Sequence, residues 1–312
     1  MENILAQLPQ QMVIGLTQGA IYALIALGYT MVYGVLRFIN FAHGDVYMLG
    51  AYAGFFTATW IGAMQAIKAG GHASALQVLI IFAGAMIACA AAGVLIERLA
   101  YRPLRKSPRL TALITAIGVS MLLEYGGQAV FSPNTQPFRD LVPNLFLVNL
   151  KSPQLTISLV QVVIVAVAVV LMFALRFIVM NTKLGRAMRA VAHDRSAATL
   201  MGINTDLIIA FTFALAAALA GGGGVLHAVY RGSIDPLMGL MVGLKAFVAA
   251  VLGGIGSIPG AALGGLLMGL AETAVVLTGY SQYQDAMAFT ILILVLLFRP
   301  AGLLGKTTAE KV

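Results

Sequence analysis

Long apolar stretches separated by short polar ones dominate the pattern along this chain. A helix needs about 20 apolar residues to cross the hydrocarbon core of a bilayer. Stretches near that length run Met12–Val35, Phe41–Ile61, Ala75–Ile96, Leu110–Phe131, Leu155–Val179, Leu207–Tyr230 and Gly260–Gly279. Two shorter ones cover Leu237–Leu252 and Ala286–Phe298. The pattern predicts an all-α, polytopic membrane bundle of eight to nine segments. Either all nine cross, or one or two are broken or re-entrant, since shortness and glycine content mark discontinuous helices.

The polar stretches set the orientation. Arg98, Arg102, Arg105, Lys106 and Arg109 follow the third segment, and Lys183, Arg186, Arg189 and Arg195 follow the fifth. Arg299, Lys306 and Lys311 lie in the C-terminal stretch. Threading nine crossings puts these three groups on one side and leaves Lys68, Arg139, Lys151 and Arg231 on the other. The excess of Lys and Arg on the cytoplasmic face of membrane proteins then places the C-terminus in the cytoplasm and the N-terminus outside. One re-entrant segment reverses the N-terminal assignment. Ser132–Gln154 holds four prolines and reads as an external loop laid partly on the membrane surface. Asn181–Asp206 is basic and Ala-rich, with a helical pattern from Gly185 to Met201. No polar stretch is long enough to bury its own core, so the chain reads as one membrane domain, 1–312, with a cytoplasmic loop at about 181–206.

Composition agrees. Hydrophobic residues are 60% of the chain and charged ones only 10%, too few to keep a soluble surface wet. The net charge of +8 would suit nucleic acid, but the basic residues sit in short loops, which fits membrane orientation better. The single Cys89 lies in an apolar stretch, which excludes a disulfide framework. The first basic residue is Arg37, so the basic start of a cleavable signal is missing. His43, His72, His193 and His227 are scattered, with no metal-ligand spacing, and no nucleophilic set converges. No catalytic residue, metal site or cofactor is expected. Pro300–Thr307 ends like a phosphate-binding loop, yet Pro300 replaces the first glycine and five residues remain, too few for the helix that would hold a phosphate.

Several polar residues interrupt the apolar pattern. Asn40, His43 and Asp45 begin the second segment. They read either as a gate or hinge on a transport pathway or as a hydrogen-bonded helix cap. Lys245 and Glu272 fall well inside apolar segments, where an unpaired charge costs roughly 2.5–3.5 kcal/mol or more. They either pair across adjacent helices or face a wet pathway. Glu124 sits nearer the outer interface. Gly50/Gly54, Gly221–Gly224, Gly253-Gly254-x-Gly256, Gly260/Gly264 and Gly265/Gly269 read as close helix contacts, with Gly253–Gly260 also open to a hinge reading. In the basic loop, small Ala197 and Ala198 would let a partner's groove approach, Gly202 would permit a sharp turn, and Arg186 and Arg189 would meet acidic groups on that partner. A helix lying on lipid phosphates explains the same loop equally well.

The pattern Ala197-Ala198-x-x-x-Gly202 in that loop looks like the docking motif of bacterial ABC-importer permeases, with Ser196 where many have Glu. The runs Gly28–Gly34, Ile39–Asp45, Tyr47–Tyr52, Glu97–Pro103, Leu200–Asp206, Lys245–Phe247 and Val251–Gly260 resemble branched-chain amino acid permeases of the LivH type. That resemblance spans nearly the whole chain. It implies a permease subunit of an ATP-driven importer in a bacterial inner membrane, with ATP bound by partner ATPase subunits. It also implies a related second permease subunit, an external solute-binding protein, a small-molecule substrate and surrounding lipid, and no nucleic acid. Relatives with these motifs import urea or short amides as well as branched-chain amino acids. A secondary transporter is the remaining class, left open by Lys245 and Glu272.

Overall fold

The computed structural model describes residues 2–68, 71–105, 107–138, 141–143, 145–150 and 155–305. Lys106, Arg139, Lys151, Lys306, Thr307 and Lys311 lie outside the described residues. Each of the nine apolar stretches is helical over most of its length, as lipid demands of a backbone that has no water to satisfy it. They form α1 (Glu2–Leu36), α2 (His43–Trp60), α4 (Ala75–Ile96), α5 (Arg109–Phe131), α6 (Leu159–Asn181), α9 (Thr205–Arg231), α10 (Met238–Gly253), α11 (Ile258–Leu277) and α12 (Gln284–Phe298). Among the described residues, seven helices are long and apolar enough to cross a membrane; α2 and α10 are not among them. The chain is a multi-pass helical bundle.

Three local features depart from the sequence pattern. The Ala-rich loop holds two helices, α7 (Lys183–His193) and α8 (Arg195–Leu200), where one was expected. The break falls at Asp194, whose extended backbone and side chain cap α8 by accepting from the Ala197 N–H at 2.9 Å. Leu155–Ser158 is strand β3, paired antiparallel with β2 (Phe146–Leu150), and not the start of a helix. Ser158 opens α6 through a reciprocal cap with Gln161, at 3.3 and 3.0 Å. Two-residue strands β1 (Gln136–Pro137) and β4 (Ser233–Ile234) also pair, and Ala63–Lys68 forms the short helix α3.

Helices α1 and α9 are the buried centre, while α4, α5, α6 and α12 turn much of their surface outward. Glycines set the spacing, as their pattern predicted. A Cβ added at Gly264 would strike the Ala249 carbonyl, and one at Gly265 or Gly269 would strike the backbone of Ala23 or Gly19, so α10 and α1 both lie tight against α11. Residues 299–305 fold back on the turn between α10 and α11: the Leu303 and Leu304 N–H groups donate to the Leu252 and Gly253 carbonyls, both at 2.9 Å. The Gly253–Gly260 stretch is therefore a packed turn, and the phosphate-loop-like glycines serve packing there.

The basic loops gather at one end. Arg37, just past α1, donates to the Ala192 carbonyl of α7 at 3.3 Å, and Arg102 reaches Asp206 at the start of α9. At the opposite end, Gln10 of α1 accepts from the Thr156 N–H of β3 at 2.7 Å.

Candidate functional site

Residues Arg37 to Ala42 run from the basic end back into the bundle before α2 begins. The His43 ring lies against Gly28, where only a glycine leaves it room. Gly28 is eight residues short of the end of α1, about 12 Å of helix rise, so α2 starts within the thickness of the bundle. The short α10 starts beside it. A Cβ at Gly44 would sit 2.6 Å from the Gly239 carbonyl oxygen, and one at Gly239 would sit 2.9 Å from Asp45 Oδ1. Two short helices thus touch at their first turns.

The polar residues here bind neighbouring helices and do not cap their own. The N-cap of α2 is Ala42, with no side-chain cap, which overturns the cap reading of Asn40 and Asp45. Asn40 accepts a hydrogen bond from Tyr101 Oη at 2.5 Å, and Asp45 Oδ2 accepts one from Ser120 Oγ of α5 at 2.5 Å. His43 Nε2, Asp45 Oδ1, Thr30 Oγ1, Tyr47 Oη and Glu124 Oε1 are buried without a partner among the described residues. A buried polar group needs a protein, water or solute partner, so this zone is built to meet something polar. A void of about 10 Å³ between Tyr29, Tyr33, Ile39 and Phe247 admits a water at most. A larger cavity of about 350 Å³ lies at the opposite end, lined by Gln10, Phe146, Thr156, Gln161 and Arg231.

Lys245 and Glu272 are together. Lys245 Nζ lies 2.8 Å from Glu272 Oε1 as an ion pair without a directed hydrogen bond, and 2.7 Å from Asp285 Oδ1. Glu272 Oε2 also accepts from Tyr22 Oη at 2.9 Å. Asp285 opens α12, more than half exposed, and its role had no sequence signal, because an acidic residue in a first turn is ordinary. The trio ties α10, α11 and α12 together with α1. These charges thus pair with one another across adjacent helices.

At the basic end the loop residues take unequal parts. Ala197 and Arg186 are exposed, and Gly202 makes its turn with φ +81°. Ala198 is buried against its own chain, and Arg189 donates to the Val179 carbonyl at the end of α6. Ala198 thus packs inward, while Arg189 stays exposed with one guanidinium nitrogen on the end of α6. Leu200 and Met201, which composition alone did not single out, stand 89% and 81% exposed beside them. Beneath this loop, Asp206 pairs with Arg102 at 2.6 Å and with Arg105, which also pairs with buried Glu97. Among the described residues no group of His, Cys, Asp and Glu has the proximity to hold a metal.

Residues 11–296 match the family described as branched-chain amino acid transport system / permease component. The chain is 47% identical over 304 residues to the high-affinity branched-chain amino acid transport permease protein BraD of Pseudomonas aeruginosa, covering 97% of each. It is 46% identical over 309 residues to the LivH permease protein of Escherichia coli, again covering 97% of each. A probable LivH permease of Methanocaldococcus jannaschii is 27% identical over 293 residues, 90% of this chain and 88% of that one. Family match and near full-length similarity agree with a bundle whose short helices touch at their first turns beside unpaired polar groups: the chain belongs to the permease components of branched-chain amino acid transport systems.

Proposed function

We propose that this chain is the membrane-spanning permease subunit of an ATP-driven importer that moves branched-chain amino acids across a bacterial inner membrane. ATPase subunits supply the energy, an external solute-binding protein delivers the solute, and a related permease subunit completes the pathway. The chain itself needs no cofactor and performs no covalent chemistry. Its single domain, 1–312, docks the ATPases through the loop at 181–206, which lies with the C-terminus in the cytoplasm.

The observation that carries this reading is the apolar knob of Leu200, the last residue of α8, and Met201 just past it, held out at the basic end next to the turn at Gly202. Two large apolar side chains left almost fully exposed at the end of a short capped helix are suited to fill a groove on a partner. A helix lying on lipid phosphates would need a broader apolar face. Lys245 and Glu272, the charges that left a secondary transporter open, have a structural partner in Asp285, which favours the importer.

The test is co-purification and transport. The wild-type chain expressed with its partner subunits is expected to retain the ATPases and, in proteoliposomes supplied with the binding protein and ATP, to import leucine but not urea. Leu200→Asp is expected to insert normally and lose the ATPases. Retention of the ATPases by that variant, or urea uptake as fast as leucine uptake, would reject the reading.

A further inference from the structure

We propose that the turn Glu97–Tyr101 relays movement of α8 into the start of α2, with Asp206 and Tyr101 as positioning residues at its two ends. The proposal rests on the docking of ATPase subunits at α8.

The relay is a chain of direct contacts. Arg195 of α8 approaches Asp206 to 3.8 Å. Each carboxylate oxygen of Asp206 holds another guanidinium: Oδ2 takes Arg102 at 2.6 Å, and Oδ1 takes Arg105. Arg105 passes inward to Glu97, which is 1% exposed, while Asp206 is 42% exposed. One arginine therefore joins a solvated carboxylate to a buried one. Glu97 opens a five-residue π-helical turn that continues α4 and ends at Tyr101. Tyr101 is buried and donates to Asn40, which is also buried, three residues before α2 begins.

Two features make this a built device. A π turn is a rare interruption of a helix, frequent at functional sites. Here it carries both contacts, one to the surface network and one to the interrupted end of α2. Exposed ion pairs are worth little singly, but Arg105 and Glu97 are shielded from salt and water, and such a network has few alternative arrangements. A displacement of α8 then shifts Tyr101 and Asn40 together. A competing route exists through Arg37, which joins α7 to the end of α1.

Asp206→Asn and Tyr101→Phe cut the chain at each end without orphaning a buried charge, because Arg105 keeps Glu97 and the Tyr101 ring keeps its packing. In the complete transporter in proteoliposomes, each variant is expected to keep its ATPases; Asp206→Asn should keep its melting temperature, and Tyr101→Phe should melt only slightly lower, because buried Asn40 loses one hydrogen bond. Each is expected to raise the ATP hydrolysed per leucine imported by roughly two- to thirty-fold. The double variant should be no worse than the more affected single, since both cut one route, and Asp206→Glu should restore coupling. A wild-type ratio in both single variants, effects that multiply in the double, or uncoupling by Arg37→Gln alone would overturn the relay. A normally coupled Asp206→Asn rejects only the relay, whereas ATPases retained by Leu200→Asp reject the docking beneath it.

Discussion

Gly44 and Gly239 stand so close that their helices touch backbone to backbone, with 2.6 Å between the Gly239 carbonyl oxygen and the place a Gly44 Cβ would occupy. Neither glycine needs a left-handed backbone; the space itself excludes a side chain. Gly44→Ala is therefore expected to force α2 and α10 apart and to cost about 1–3 kcal/mol, the usual toll of overpacking. Thermal unfolding in detergent measures it. Gly34→Ala is the comparison, because nothing lies within 4 Å of a Cβ there, and its melting temperature should stay within error of the wild type.

Lys245→Met removes the cation from a carboxylate that is 1% exposed. Breaking a buried pair by removing one partner typically costs about 3–5 kcal/mol, because the other charge stays buried alone. Asp285→Asn, at an exposed position, should cost much less. The double variant Lys245→Met/Glu272→Met should recover most of the lost stability. Losses that simply add would show that the two charges do not depend on one another.

Gly202 has φ +81° and nothing near its Cβ, so a substitution there meets backbone strain and no clash. Gly202→Val should cost about 1–2 kcal/mol locally, skew the exit from α8 and raise ATP hydrolysis per solute moved. Gly202→Asn, which tolerates that backbone, should transport nearly normally. Equal coupling in the two variants would show that the turn does not set the angle of α8.

The meeting of α2 and α10 also predicts selectivity in the pathway. Both helices begin here, and helix starts offer N–H groups to a carboxylate, while the surrounding apolar side chains suit a small body without unbalanced charge. With the external binding protein exchanged for one that delivers arginine or glutamate, uptake should stay well below that of leucine. Equal rates for the charged solutes would place all selectivity in the binding protein.

The sequence by itself determined where the long helices lie, though not all of their ends. Lipid leaves a backbone no partner but itself, so each long apolar stretch had to become a helix, and the crowding of Arg and Lys into alternate loops fixed which ends share a side. The interrupted starts at Asn40–Asp45 and Leu237 were legible too, as polar residues and shortness where a full span was due. Lys245 and Glu272 were legible as charges too costly to leave alone. The tertiary structure alone decided what those residues meet. Arg105 and Asp206, Tyr101 and Asn40, and Ser120 and Asp45 are far apart along the chain, and no spacing rule links side chains on different helices. Ala198 matched a docking pattern yet packs inward, because the helix breaks at Asp194 and α8 turns its other face, with Leu200, outward. Local periodicity reports which face of a helix is apolar; only the packing of one helix on another selects the partner that face will find.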